Sequence, residues 1–130
     1  MKLGVLDYVV LIVEDLDRSL AFYREVLGLT LHHRAGPYAQ IAVGSTRLGL
    51  YERGAMSQTL ATPLRAPGPD APGFQLGFKV EDVDAAHAEL VGRGVPSAGE
   101  PTTRHWGQRT AYLRDPDGHL IELAQDGVWK

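Results

Sequence analysis

A short motif occurs twice in the sequence, and this repeat limits the possible folds more than any other feature. Residues 13–17 (VEDLD) and 80–84 (VEDVD) match at four of five positions and lie 67 residues apart. Each copy follows an apolar stretch typical of a strand and begins a predicted helix that ends at a glycine. We expect the first of these strands to be buried on both faces or nearly so. The helices are predicted over Leu16–Leu27 and from Val83 to about Gly92. Three further strands are predicted after each helix, among them Tyr38–Val43 and Thr46–Glu52 in the first module. The chain therefore predicts two βαβββ modules.

The two predicted modules cover residues 1–52 and 74–125. The proline-rich stretch 53–73 separates them, and we interpret it as a lid or a connector because structureless loops this long are uncommon in compact domains. One module alone leaves a sheet face and edges uncovered. We therefore expect the modules to pair into a U-shaped mixed sheet, with helices outside and a cleft inside. The expected fold is α+β, with residues 1–130 as a single domain. The sequence leaves open whether the modules pair within one chain or between two.

Composition excludes several classes of function. The 130 residues include no cysteine, which excludes disulfides, thiolate nucleophiles, cysteine-ligated zinc and iron–sulfur clusters. The net charge of −3 argues against nucleic acid as a partner. No apolar run reaches the roughly 20 residues of a membrane helix, and the N-terminus does not resemble a signal peptide, so we expect a cytoplasmic protein without a membrane partner. A small molecule is the expected ligand.

The repeat also predicts where a binding site would lie. In the first strand of each module, Tyr8 corresponds to Gln75, and in the last strand Gly49 corresponds to Glu122. If these four positions point inward, they converge. Glu122 has apolar neighbours on both sides, so its carboxylate needs an ion pair, a hydrogen bond, a metal or a shift towards its neutral form. The alternative is that period-two alternation places Glu122 in solvent.

Longer segments of the sequence resemble a known family. Residues 7–23 (DYVVLIVEDLDRSLAFY) and 26–29 (VLGL) resemble the opening of the vicinal oxygen chelate superfamily, and residues 78–85 (FKVEDVDA) and 115–123 (DPDGHLIEL) agree with its second half. This superfamily contains glyoxalase I, bleomycin-resistance proteins, extradiol dioxygenases and fosfomycin-resistance enzymes. The resemblance implies the glyoxalase/bleomycin-resistance-like fold of paired βαβββ modules, in a homodimer whose subunits share the cleft.

The resemblance also implies where a metal would bind. In the metalloenzymes of the superfamily the four equivalent positions carry His or Gln on the first strands and Glu on the last. Here they are Tyr8, Gly49, Gln75 and Glu122, and only Glu122 is the expected ligand. A phenol, an amide and one carboxylate form a weak ligand set. We therefore expect no cofactor and leave open a weakly held divalent metal. Glu52 is a poor substitute because its parity along the strand is opposite to that of Gly49.

Three functions remain open. The first is metal-free binding of a planar or hydrophobic metabolite or antibiotic, as the resemblance to bleomycin-resistance proteins implies. The expected contacts are aromatic walls and polar anchors: Tyr8, Tyr38, Tyr51, Trp106, Tyr112, Arg47, Gln75, Arg109 and Glu122. The second is a lactoylglutathione-lyase-like or dioxygenase-like enzyme acting on a vicinal dioxygenated substrate, with Glu122 as the catalytic base. The third is a module that binds a partner through its dimer surface.

The histidines and Trp106 are not assigned a metal-binding role. Adjacent His32 and His33 cannot serve one metal from a strand, and we expect both at the surface. We expect His87 to be a solvated helix residue and His119 to point outward or to pack. Trp106 is either a core aromatic at the end of the sheet or a stacking surface for a planar ligand.

Overall fold

A computed structural model describes residues 1–68 and 71–129. The chain divides into two compact units, Met1–Ala66 and Pro67–Lys130. The boundary falls inside the predicted connector 53–73. Each unit contains one four-stranded mixed sheet with a helix against it, which confirms the predicted α+β class. Among the described residues no helix is both long enough and apolar enough to cross a membrane.

The first unit follows the predicted βαβββ order and adds one helix. Its elements are β1 (Tyr8–Val13), α1 (Leu16–Ala21) with a π-helical turn (Phe22–Val26), β2 (Thr30–Ala35), β3 (Tyr38–Val43), β4 (Thr46–Glu52) and α2 (Arg53–Leu60). The strands lie in the order β1-β4-β3-β2. β1 is parallel to β4 and the other pairs are antiparallel.

The second unit repeats this arrangement. Its elements are β5 (Gln75–Lys79), α3 (Val83–Gly92), β6 (Ser97–Thr103), β7 (Gln108–Arg114) and β8 (Leu120–Asp126), with the strand order β5-β8-β7-β6. The parallel pairs have matching register, since Val10 lies opposite Gly49 in one sheet and Gly77 lies opposite Glu122 in the other. The sequence repeat is therefore a structural repeat.

Both repeated motifs begin their helices in the same way. Asp15 precedes α1, and its side chain accepts a hydrogen bond from the backbone N–H of Arg18 at 3.1 Å. Asp82 precedes α3 and accepts from the N–H of Ala85 at 3.1 Å. Each aspartate satisfies one of the N–H groups that a helix leaves unpaired at its start. The acidic residue in the motif is therefore an N-cap.

A second hydrogen bond ties each helix start to the last strand of its unit. Glu52 accepts from the N–H of Leu16 at 3.2 Å, and Gln125, at the equivalent position, accepts from the N–H of Val83 at 2.9 Å. Both side chains therefore lie on the helix-facing side of their sheets. This placement agrees with the parity argument against Glu52 as a substitute ligand.

Alternation along the strands forms the core of each unit. In β1, Leu11 and Val13 are fully buried, while Tyr8 is 51% exposed and Val9 is 37% exposed. The expectation that this first strand is buried on both faces is therefore wrong. β1 is an edge strand of its sheet, and its buried residues Leu11 and Val13 lie on one face. The opposite face of each sheet, which carries no helix of the repeat, is called the open face below.

The connector contains more structure than its prolines indicate. Residues 53–60 form α2, which ends at Ala61 in the left-handed conformation (φ 52°). The good helix formers Ala55, Met56 and Leu60 all precede the first proline, Pro63, so the stretch can form a helix before the breakers begin. Pro69, one of the prolines that define the connector, lies outside the described residues.

The helix predicted from Leu16 to Leu27 changes type partway along. It is α-helical to Ala21 and π-helical from Phe22 to Val26. Gly28 then has φ +72°, which is the left-handed conformation of a glycine that ends a helix. The predicted end of the helix is confirmed. The π-helical turn was not predicted, because spacing of apolar residues does not distinguish the two helix types over so few residues.

Candidate functional site

Three tyrosines lie together on the open face of the first sheet. Tyr8 on β1, Tyr38 on β3 and Tyr51 on β4 line a cavity of about 500 Å³. The remaining lining residues are Val10, Ala35, Pro37 and Gln40. We call this set the tyrosine pocket. It brings together two predicted ligand contacts, Tyr8 and Tyr51, with the predicted aromatic wall Tyr38.

Hydrogen bonds and ring contacts hold the walls of the tyrosine pocket. The Gln40 amide donates to the hydroxyl of Tyr38 at 2.9 Å. The rings of Tyr38 and Tyr51 meet edge to face at 5.9 Å, and the ring of His33 lies 5.9 Å from Tyr38. The Tyr51 hydroxyl is hydrogen-bonded to Thr59 on α2 at 3.0 Å. Walls fixed in this way lose little conformational freedom when a ligand binds.

Gly49 gives Tyr38 the room to lie across the sheet. A Cβ atom at position 49 would lie only 2.8 Å from the Tyr38 oxygen and 3.0 Å from Val10 Cγ2. Gly49 itself is buried. The phenol ring therefore occupies the space that a larger side chain at position 49 would need. This is one of the positions at which the family resemblance implies a metal-binding glutamate.

The four positions implied by the resemblance do not fit a divalent metal ion. Gly49 supplies no ligand atom and has no space for a side chain. Tyr8 and Gln75 are exposed, and a neutral phenol and an amide are weak donors. Glu122 is the one carboxylate in the set. The ligand set is therefore weak for two reasons: its donors are chemically weak, and a side chain at position 49 has no space.

Glu122 lies half-buried on the open face of the second sheet. Its Oε2 accepts a hydrogen bond from the Tyr112 hydroxyl at 2.8 Å. Its Oε1 has no hydrogen-bond partner in the part of the chain that the structure describes, and a Cβ atom at Gly77 would lie 3.4 Å from it. One oxygen is thus held by the protein, and the other is available to a ligand.

Thr110 and Arg104 lie near the Tyr112 phenol. The Thr110 hydroxyl accepts a hydrogen bond from Arg104 Nε at 3.0 Å. Burial, followed by the hydrogen bond to Glu122, raises the pKa of Tyr112 above its usual value. Tyr112 therefore stays protonated and donates. Sequence reasoning missed Thr110 and Arg104, although alternation along β7 places Thr110 on the same face as Tyr112.

Arg47 belongs to the open face of the first sheet. It lies opposite Tyr8 in the register of β1 and β4, so both side chains leave the sheet on one face. Gln40 shares that face and was missed by sequence reasoning. Its parity with Tyr38, two residues earlier on β3, is the signal that could have identified it.

Two other predicted contacts lie in the second unit. Gln75 is exposed at the start of β5, with the same parity as Gly77 opposite Glu122. Trp106 is 51% exposed, and its indole N–H donates to Gln108 at 2.8 Å. Trp106 is therefore not the core aromatic of the sheet end, which leaves the stacking interpretation open.

Arg109 lies on the other side of its sheet. Its guanidinium forms two hydrogen bonds with Asp84 on α3, at 2.7 and 2.9 Å. Its parity on β7 is opposite to that of Tyr112, so it faces the helix while Tyr112 and Glu122 face the open side. The expectation that Arg109 is a polar anchor for the ligand is corrected, because its guanidinium faces the helix and already pairs with Asp84.

The histidines outside the pocket are accounted for by local contacts. His87 is 6% exposed, and its Nε2 is 2.8 Å from Ser97 Oγ, so the expectation of a solvated helix residue is wrong. His119 Nδ1 lies 2.7 Å from a carboxylate oxygen of buried Asp115. With Asp117 these two residues place three potential ligand atoms within 4.8 Å of one another. The Asp115 carboxylate accepts from the N–H groups of Asp117 and His119, which is how an aspartate stabilises a turn.

Comparisons with known proteins agree with the family resemblance. The family model of the glyoxalase/bleomycin resistance protein/dioxygenase superfamily matches residues 5–123. An uncharacterized protein of Bacillus subtilis, YraH, is 35% identical over 117 residues, which are 87% of this chain and 91% of that protein. A Serratia marcescens protein named glutathione transferase FosA is 29% identical over 124 residues, covering 91% and 78%.

A solved structure supports the fold alone. The crystal structure of a glyoxalase/bleomycin resistance protein/dioxygenase from Nocardioides matches with a TM-score of 0.82 at 23% identity, and it covers 97% of this chain and 85% of that chain. Its likeness accords with the family model and with the two sheets described above. The chain belongs to the glyoxalase/bleomycin resistance protein/dioxygenase superfamily.

Proposed function

We propose that this protein binds a planar small molecule in the tyrosine pocket, without a metal ion. One observation carries the proposal: at Gly49, where the superfamily's metalloenzymes use a ligand, the ring of Tyr38 covers the glycine and forms a wall of the cavity. The cavity volume of about 500 Å³ is in the range of small-molecule sites. Tyrosine faces favour stacking with flat, apolar ligands.

We propose a homodimer as the assembly, as the family resemblance implies. β1 and β5 are both edge strands of their sheets, and edge strands leave backbone N–H and C=O groups available for pairing. Light scattering on the purified chain tests this. A mass of twice 14.2 kDa supports the dimer, and a monomer at micromolar concentration contradicts it.

Calorimetric titration of the full chain with naphthalenemethanol, a flat and uncharged probe, tests the binding proposal. Replacing Tyr8 with Leu removes one wall without disturbing the core, because Tyr8 is 51% exposed. We expect this variant to bind about tenfold more weakly, from lost ring contacts and burial. Val91→Ala, at an exposed apolar residue of α3 that no prediction places in the site, is the control and should bind like the wild type. No binding by the wild type, or equal binding by Tyr8→Leu, contradicts the proposal.

A second candidate is an enzyme that uses Glu122 as a base, and the geometry of its carboxylate favours it. Oε2 is fixed by Tyr112, while Oε1 has no partner in the described residues. In such a reaction Oε1 takes a proton from a carbon next to a carbonyl, and Glu122 returns it to the neighbouring carbon. Gln75, exposed at the start of β5 in the same sheet as Glu122, is the proposed support for the enolate.

The enzyme candidate is tested by assaying the hemithioacetal of methylglyoxal and glutathione. The relative named glutathione transferase FosA motivates the thiol in this substrate. Turnover by the wild type that is lost in Glu122→Gln supports the candidate. Turnover that survives in Glu122→Gln, or none in the wild type, contradicts it.

A further inference from the structure

Most N–H groups of the Arg47 guanidinium, beside the tyrosine pocket, have no hydrogen-bond partner among the described residues. Its one hydrogen bond in the described part of the chain is a long one, from Nη1 to the Thr46 carbonyl at 3.5 Å. None of the described carboxylates lies within ion-pair distance of it. By contrast, Arg34, Arg53 and Arg109 each pair with a carboxylate.

Among the described residues of the sheet, those on the open face around Arg47 include no acidic side chain that could satisfy its charge. Alternation and register place Tyr8 and Val10 on β1, Gly49 and Tyr51 on β4, and Gln40 and Ala42 on β3 on this face. His33 on β2 lies opposite Gln40. The face is therefore aromatic and neutral, with Arg47 as its fixed positive charge.

A guanidinium in this setting matches one kind of ligand group. Its planar set of N–H donors fits the two oxygens of a carboxylate or a phosphate, and these charge-assisted hydrogen bonds are stronger than neutral ones. Since Arg47 lies opposite Tyr8 in the register, a flat ring against the tyrosines would bring a substituent at its edge towards the guanidinium.

We propose that Arg47 selects planar ligands that carry an oxyanion, namely an aromatic carboxylate or an aromatic phosphate. This inference rests on the proposed binding function and specifies its ligand class. The tyrosine rings hold the flat body of the ligand, and Arg47 binds the oxyanion at its edge. Because Arg47 is partly exposed to solvent, added salt should weaken its ion pair with the oxyanion.

Calorimetric titrations of the full chain with three probes that share one ring system test the inference. The probes are naphthoate, naphthyl phosphate and the uncharged naphthalenemethanol. We expect at least one anion to bind about tenfold more tightly than the alcohol, as for a hydrogen bond to a charged group. The tighter of the two anions identifies the preferred oxyanion. Added salt should reduce the preference.

Arg47→Gln should remove the preference by lowering anion affinity to that of the alcohol and leaving alcohol affinity unchanged. Arg24→Gln is the matched control, because Arg24 is exposed on the π-helical turn of the same unit. It makes the same charge change and should keep the wild-type preference. Thermal unfolding checks that both variants are folded.

The possible failures are distinguishable. If the alcohol binds the wild type as tightly as both anions, or if Arg47→Gln keeps the preference, the inference is wrong while the proposed function stands. If none of the probes binds, both are wrong. If Arg24→Gln loses the preference as Arg47→Gln does, the effect is one of overall charge and the role of Arg47 is overturned.

Discussion

Gly49→Ala tests whether Tyr38 owes its place in the pocket to the missing side chain. The added Cβ atom would lie 2.8 Å from the Tyr38 oxygen and 3.0 Å from both Tyr38 Cε1 and Val10 Cγ2. Tyr38 would have to move by several tenths of an ångström, which strains its hydrogen bond from Gln40. Overpacking of this kind costs about 1–3 kcal/mol of unfolding free energy.

Urea denaturation of four variants measures this effect. Gly49→Ala is compared in the wild type and in a Tyr38→Ala background, where most of the crowding atoms are absent. We expect the cost of Gly49→Ala to fall by about 1 kcal/mol or more in that background, as contacting residues show in double-mutant cycles. Gly54→Ala is the control. No atom lies within 4 Å of a Cβ there, and alanine favours the helix, so its cost should be zero or negative.

Two results would refute this account of the pocket. One is a loss of unfolding free energy for Gly49→Ala that equals the loss for Gly54→Ala. The other is a cost that does not change when Tyr38 is removed, since the crowding would then come from elsewhere. In the expected case, Gly49→Ala should also weaken binding of the planar probe, because Tyr38 forms a wall of the pocket.

Three further predictions concern the second unit and the helix caps. Spectrophotometric titration should show a tyrosine ionising above pH 10.0, because burial and Glu122 raise the pKa of Tyr112. Glu122→Gln should lower that pKa. The stability from the protonated phenol should be lost as the pH rises through the raised pKa. Arg109→Gln should raise the pKa of Asp84, measured by NMR, because the hydrogen bond from Arg109 holds that pKa below 3.8. The stability linked to the lowered pKa is present above pH 3.8 and is lost as the pH falls. The affinity for the probe should not change. Asp15→Ala should reduce the free energy of unfolding in urea by about 1 kcal/mol through loss of the N-cap; an unchanged value contradicts that role.

Local patterns predicted much of the fold. The strands Tyr38–Val43 and Thr46–Glu52 and the helix Val83–Gly92 have the predicted bounds, because each has clear alternation or a capping aspartate and ends at a turn. The repeat predicted the element order of both units. The helix Arg53–Leu60 was missed because the prolines that follow it dominated the interpretation of the whole connector.

Side-chain placement was less predictable because it depends on register and on neighbouring strands. The position of Tyr38 over Gly49 depends on the register of β3 against β4 and on how the ring lies across the sheet, which strand alternation alone does not give. Arg109 was predicted to anchor the ligand although its parity along β7 is opposite to that of Tyr112. Its partner Asp84 lies on a helix that is distant in sequence. His87 shares a helix face with buried Val83 and Leu90, so the spacing could have indicated its burial. Its contact with Ser97 on β6 could not be predicted from the helix alone.

The central claim is that a flat ligand lies against the tyrosine pocket of the first unit. The most direct test is the map of backbone amide chemical-shift changes when naphthalenemethanol is added to the full chain. The account predicts the largest changes at Tyr38, Gln40 and Tyr51, with small changes along α1 and α3. Largest changes around Trp106, or none at saturating probe, would contradict it.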